Sequence, residues 1–285
     1  MNTSKNIFLP FLTFLIILTN LSCSGCENNH EDITIKYISY NIRNSHANDG
    51  DNDWDIRKPA TKEMIEREQP DVFGLQEAYI EQLQYIDSNF PQYSRVGVGR
   101  DDGKEDGEFM AVYYRNDKFK LLKSGDFWLS ETPDKCSMGW DAACKRIVTW
   151  AKLKDKETGK VFYAFNTHLD HVGKVAREQS ILLIVKKIDE IVKKDKAPVF
   201  LSGDFNSNVS SPIFDPLKNI MYDSRAILPE SEWISTYNNY GNGGDSMIDY
   251  IFYRNAEVLD FKTLNGDYGK PYISDHYPVM ATMKI

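Results

Sequence analysis

The stretch 198-PVFLSGDFN-206 runs from an apolar segment into a glycine, a carboxylate, an aromatic ring and a carboxamide. A short apolar run bounded by turn residues reads as a buried strand over 198–203. Side chains alternate faces along an extended chain, so Asp204 and Asn206 fall on one side and Phe205 on the other. Two polar groups then share one spot at the end of a sheet. Gly, Asp and Asn also close ordinary turns, so the reading depends on what the other strands carry at their ends.

Working outward, β-branched and aromatic alternation predicts strands at 33–41, 71–77, 108–115, 119–129, 146–154, 160–169, 248–253, 257–264 and 277–284. Helical spacing covers 56–68, with Ile56, Ala60, Met64 and Ile65 on one side, and 79–88. A third helix, 174–194, has its apolar face on Ala176, Ile181, Leu182, Val185, Ile188 and Val192, and its lysines (Lys186, Lys187, Lys193, Lys194) form a solvated face. Many strands with few long helices predict two packed sheets flanked by helices, not a barrel of regular βα units.

The strand ends share a chemistry. Asn41 stands in SYNIR, Glu77 in GLQEA, His168 in FNTHLDH, Asp204 and Asn206 in SGDFNS, Asp249 in MIDYIFY, and Asp275 and His276 in ISDHYPV. One polar residue after a strand is ordinary loop composition. Six such sites together supply hard oxygen ligands for a cation, two histidines to move protons and further carboxylates to orient them.

The ordered series YNIR, LQE, NTHLD, GDFN, IDYIF, SDHYPV resembles the endonuclease/exonuclease/phosphatase superfamily, from about residue 33 to 285. That superfamily includes deoxyribonucleases, abasic-site endonucleases, sphingomyelinases, inositol-polyphosphate phosphatases and deadenylases. The resemblance implies a four-layer α/β/β/α sandwich of two mainly antiparallel sheets flanked by helices, and divalent-metal hydrolysis of phosphoesters. It implies Mg2+, with Mn2+ as a substitute, held by Glu77 with Asn41 and Asp275 beside it. Asp204 and Asn206 match the pair that positions the attacking water or the phosphate oxygens. His276 matches the general base, oriented by Asp249, and His168 the second histidine, a general acid or phosphate donor. Glu108, in EFMAVYYR, falls where deoxyribonuclease-like members keep the carboxylate that orients that histidine.

The chemistry agrees with the resemblance. An anionic phosphoester repels hydroxide, and a cation on its oxygen relieves that repulsion. A carboxylate on the far nitrogen of a histidine fixes which nitrogen reacts.

Other residues keep two readings. Arg43 and Arg146 either clamp the substrate phosphate or form ion pairs. Asp170 and His171 either join the site or bond to Arg177. Trp54, Trp128 and Trp140 either line a cleft or pack at strand ends. The loop 44–55 reads as a flexible acidic rim whose acids lack EF-hand spacing.

Residues 1–22 carry one cation, Lys5, no acid, and an apolar run from Ile7 to Leu18 interrupted by Pro10 and Thr13, the pattern of a secretory signal. The following LSCSGC resembles a bacterial lipobox. It makes Cys23 the expected lipidated residue, with Cys26 or plain signal cleavage as alternatives, and 23–32 a tether before the catalytic domain at 33–285. The expected product is an exported monomer, lipid-anchored in the cell envelope. Cys136 and Cys144 flank SMGWDAA outside the polar clusters, and either close a short disulfide or remain buried thiols.

Beyond residue 22 the chain keeps 33 cations and 42 acids, a net charge of −9. An acidic surface without a basic stripe argues against tight duplex DNA binding. The ending SDHYPVMATMKI is close to secreted deoxyribonucleases, but the PxWCDR-like signature of inositol-phosphate phosphatases is missing, and no apolar hairpin like that of sphingomyelinases occurs in 206–247. The expected substrate is a small, glycan or lipid head-group phosphate. A deoxyribonuclease-like nuclease and a non-catalytic lipoprotein that binds a phosphorylated ligand are the alternatives.

Overall fold

The strand Val199–Asp204 is buried along its whole length. Val199 and Leu201 pack with a helix-side cluster and Phe200 with residues between two sheets, which is why the run carries no polar alternation. The computed structural model describes residues 1–2, 31–193, 195–243 and 246–285. The predicted signal segment beyond residue 2, both candidate lipidation cysteines and residues 27–30 of the tether lie outside the described residues.

The unit Glu31–Ile285 contains, in chain order, β1 (Thr34–Asn41), α1 (Trp54–Glu68), β2 (Val72–Gln76), α2 (Ile80–Asn89), β3 (Tyr93–Val96), β4 (Val112–Arg115), β5 (Phe119–Trp128) and β6 (Ile147–Asp155). Then follow β7 (Val161–His168), α3 (Lys174–Val192), β8 (Val199–Asp204), the single-turn α4 (Asp215–Lys218), β9 (Tyr222–Asp223), β10 (Asp249–Arg254), β11 (Glu257–Thr263) and β12 (Val279–Lys284). Short 3-10 turns occupy much of the stretch between β8 and β10.

One sheet has the order β11-β12-β1-β2-β4-β3 and the other β5-β6-β7-β8-β10-β9. Each has a parallel pair at its centre, β1 with β2 and β7 with β8, and antiparallel neighbours elsewhere. Alternation assigns the layers. In β1, Ile35 and Tyr37 face the second sheet, while Ile38 and Tyr40 face a cluster holding Met64 and Ile65 of α1 and Leu83 and Ile86 of α2. Ile181, Ile184 and Ile188 of α3 cover the outer face of the other sheet. The result is the expected four-layer sandwich.

Three details differ from the sequence reading. Leu182 is 47% exposed, because the packed face of α3 runs through Ala176, Ile181, Ile184, Ile188 and Val192. Ile56 is 45% exposed, and the inner face of α1 runs through Trp54, Arg57, Ala60, Thr61, Met64 and Ile65. Arg57 belongs there because its guanidinium donates to the carbonyls of Ile42, Arg43, Asn52 and Ile273, so a buried charge replaces part of the apolar stripe. The strand predicted at 108–115 begins only at Val112, because Phe109 makes isolated bridges to Ala78 and Gly99 instead of entering a ladder.

Candidate active site

The parallel pairs decide where the polar residues meet. Parallel neighbours end at the same edge, so Asn41 of β1 and Gln76 of β2 are in register, as are His168 of β7 and Asp204 of β8. Asp249 opens the antiparallel β10 opposite Asp204. Asp275 and His276 precede β12, which runs antiparallel to β1. Glu77, His168, Asp204, Asn206, Asp275 and His276 consequently line one cleft of about 450 Å3.

Asp204 and Asn206 do face the same cleft while Phe205 is fully buried, but the strand stops at Asp204. Asn206 reaches the cleft through a left-handed backbone (φ 47°), and its N–H donates to Asp204 Oδ1 at 2.9 Å. Its amide nitrogen lies 2.9 Å from both His168 Nε2 and the Leu169 carbonyl. With both amide hydrogens so directed, Asn206 favours the tautomer whose proton is on Nδ1, while Asp204 Oδ2, 3.4 Å from the same Nε2, favours the other. Asn206 thereby orients His168.

Asn41 has a comparable holding position. Its amide nitrogen donates to Glu77 Oε1 and Asp204 Oδ2, each at 3.0 Å, while its oxygen accepts the Arg43 N–H. Asn44 donates twice to Glu77 Oε2 at 3.2 Å. Burial would raise the Glu77 carboxyl, but Asn41 and the charges of His276 and Arg43 hold it below its ordinary range. Asp275 is pushed up by burial and by the charge of Glu77, against the pull of His276. Donor atoms of Glu77, His168 and Asp204 come within 4.8 Å of one another. Carboxylates crowded in this way fit a hard divalent cation, whose charge would relieve their repulsion.

His276 sits among acids. Its Nδ1 is 2.8 Å from Asp249 Oδ2, and its Nε2 is 3.8 Å from Asp204 Oδ2. Burial alone would lower its pKa, but Asp249, Asp204 and Asp275 outweigh burial and push it up to about 10. Asp204 is raised to about 7, by burial and then by the charge of Asp249. His168 moves the other way: burial, followed by the charges of Arg146 and Arg100, takes it well below the usual histidine value. The surroundings thus favour the charged form of one imidazole and the neutral form of the other.

Several expectations need correction. Glu108 does not orient His168: its carboxylate is ion-paired with Arg100 Nη1, and His168 Nδ1 has no partner among the described residues. Burial and then the charge of Glu77 raise the Glu108 carboxyl to about 7, against the pull of Arg100 and Arg146. Arg100 stands among acids in GRDDGKEDGE, where nothing local marks an inward side chain. Cys136 and Cys144 are free thiols, and Cys144 lines the cleft instead of standing apart from it. Arg43 and Arg146 form the ion pairs expected of one reading, from positions in the wall of the cleft. Arg43 pairs with Asp49 through two 2.9 Å contacts and Arg146 with Asp170 at 3.3 Å.

Asp170 accepts from the backbone of Ala143, Val172 and Gly173, and Arg177 donates to its main-chain carbonyl, not to its carboxylate. His171 bonds to Arg146 at 3.0 Å and lines the cleft. Trp54 and Trp128 are buried packing residues, and none of the three tryptophans lines the cleft. The 44–55 loop is tied down through Asp49, which accepts from Arg43 and Tyr240.

The model of the Endonuclease/Exonuclease/phosphatase family matches residues 38–276. A solved endonuclease/exonuclease/phosphatase from Bacteroides vulgatus is 37% identical, with a TM-score of 0.82 over 88% of this chain and 98% of its own. A mannosyl-6-phosphatase from Bacteroides thetaiotaomicron is 36% identical, with a TM-score of 0.80 over 87% and 99%. An uncharacterized protein of Acanthamoeba polyphaga mimivirus, L388, is 28% identical over 80% of this chain and 91% of its own length. Members of this family are metal-dependent phosphoester hydrolases, and the present chain, with its strand-end carboxylates and paired histidines in one cleft, belongs to the endonuclease/exonuclease/phosphatase family.

Proposed function

We propose that the protein hydrolyses a small phosphorylated substrate, a sugar or glycan phosphate, in the cell envelope, with Mg2+ or Mn2+ held by Glu77, Asp275 and their neighbours. The observation that carries this reading is the composition of the cleft. Carboxylates Glu77, Asp204 and Asp275 share it with guanidiniums Arg100 and Arg146, so one small space offers both a cation site and an anion site. The 36% identity to a mannosyl-6-phosphatase along nearly the whole domain supports a sugar phosphate, as does the charge of −9 beyond residue 22.

A divalent cation supplies charge neutralisation on the phosphate. The chain's own groups supply the rest. Asp204 accepts the proton of the attacking water as the water oxygen bonds to phosphorus, the ester P–O bond breaks, and the departing alkoxide takes up a proton from solvent. His276, charged by its acidic surroundings and fixed through Nδ1 by Asp249, donates to a non-bridging oxygen. Asn41 and Asn206 keep Glu77, Asp204 and His168 in place.

The test is hydrolysis of a hexose 6-phosphate and of a bis-aryl phosphodiester. EDTA should abolish turnover and Mg2+ or Mn2+ restore it. His276→Ala should lose about 10²–10⁴-fold in kcat. Full activity in chelator or in that variant refutes the reading, and rapid plasmid nicking without turnover of small phosphates would favour a nuclease. The envelope assignment rests on residues 1–32 and is decided by the mass of the mature amino terminus. An unmodified terminus downstream of Cys26 would exclude acylation at either cysteine.

A further inference from the structure

The cleft holds polar atoms that the protein leaves unsatisfied. Among the described residues, Arg100 Nε, Arg146 Nη1 and His168 Nδ1 are buried without a hydrogen-bond partner, on three side chains that line the same space. Arg100 is 9% exposed and Arg146 4%. Unmet buried polar atoms are rare and costly, so the two guanidinium donors in this cleft point to an acceptor that arrives with a ligand.

The remainder of each guanidinium is fixed. Arg100 Nη1 pairs with Glu108, while Arg146 holds Asp170 through Nε at 3.3 Å and His171 Nδ1 through Nη2 at 3.0 Å. The hairpin that carries Arg100 is equally constrained. Arg100 N donates to Glu108 O at 3.1 Å, Asp101 N to Asp106 O at 3.0 Å, and Gly103 N to Gly99 O at 2.9 Å. Trp128 Nε1 caps the Arg100 carbonyl at 2.8 Å, and Lys145 Nζ the Asp101 carbonyl at 2.7 Å. A Cβ on Gly107 (φ 81°) would lie 2.2 Å from Asp101 Oδ2, so the turn excludes other residues there. Arg100 therefore enters the cleft from a built support.

We propose that Arg100, acting with Arg146, selects terminal phosphates over phosphodiesters by binding the third non-bridging oxygen that only a monoester possesses. A phosphomonoester offers three non-bridging oxygens and up to two negative charges. A diester offers two oxygens and one charge, and presents an uncharged alkoxy group in the third direction. With the metal-side carboxylates and His276 serving the reacting face, two guanidiniums have no counterpart on a diester. This inference rests on the hydrolase reading above and adds to it the substrate class and the residue that enforces it.

The test has two arms. In the first, kcat/KM is compared for p-nitrophenyl phosphate and bis-p-nitrophenyl phosphate with Mn2+. Wild type should prefer the monoester, and Arg100→Gln should lower the monoester-to-diester ratio about 10–100-fold, the loss of one charge-assisted hydrogen bond. Arg100→Lys, which keeps the charge beside Glu108, should fall between. In the second arm, calorimetry on the wild type compares inorganic phosphate with dimethyl phosphate, and phosphate should bind at least about tenfold more tightly. An unchanged ratio in folded Arg100→Gln, or equal affinity for the two anions, overturns the proposal. A wild type that cleaves neither ester with metal present overturns the hydrolase reading instead. The calorimetric arm, which needs no turnover, still decides this one.

Discussion

Arg43, Glu77 and Asn206 have φ angles of 55°, 62° and 47°, and each lies one or two residues past a strand end. A side chain in this left-handed region costs about 1 kcal/mol, which makes these turns a local strain held by the surrounding hydrogen bonds. The gain is direction: the chain reverses within a residue and turns each side chain toward the cleft. His276 shows the same dependence on neighbours in its titration. Asp249 holds its Nδ1 at 2.8 Å and, with Asp204 and Asp275, pushes the ring against burial up to about 10. If the charged ring is the active form, activity falls as pH rises through that value. Asp249→Asn removes the largest of the influences that raise it, so the alkaline limb of the kcat/KM profile should move to lower pH. A limb that stays in place in the variant would show that His276 does not act as the proton-bearing group.

Between the sheets, directly below the site, Gln76 donates to Asn166 Oδ1 at 2.6 Å, Ser202 to the same oxygen at 3.0 Å, and Asn166 to the Leu75 carbonyl at 2.7 Å. Gly74 makes room for this network: a Cβ there would stand 2.5 Å from Ser202 Oγ and 2.6 Å from Asn166 Oδ1. Gly74→Ala should destabilise the fold by about 1–3 kcal/mol, measured by urea unfolding, and should also lower activity because Glu77 is three residues away. A neutral substitution would mean that the sheets separate more easily than their packing implies.

Gly74 and Asn166 lie inside stretches, GLQEA and FNTHLDH, that the sequence already marked as site segments, but their reason for being there is a contact between strands remote in sequence. The strand-end acids and histidines were legible because alternation and motif order are local. The pairing of Glu108 with Arg100 was not, since a hairpin's inward residue looks like any charge among aspartates, and neither was the place of Cys144 in the cleft wall. Arg57 was hidden in the same way, a cation on a helix face whose acceptors come from turns at 42–43, 52 and 273.

For the molecule as a whole, charge and layering act at different ranges. On the proposed reading, the excess of acids past residue 22 would disfavour polyanions at a distance, while Arg100 and Arg146 would attract a phosphate that has already entered the cleft. Layering governs a slower property. Each central parallel pair is flanked by antiparallel strands and covered on both faces, so its amides can meet solvent only when the whole domain opens. In hydrogen exchange, β1, β2, β7 and β8 should form the most protected unit, whereas the 99–108 hairpin and the 224–243 turns should exchange through local opening. Chelator should change the second set and leave the first untouched; a core that loosens when metal is withdrawn would contradict this. A domain built this way keeps its carboxylates in register through cycles of cation loss and return, so that reactivation needs only an ion and no refolding.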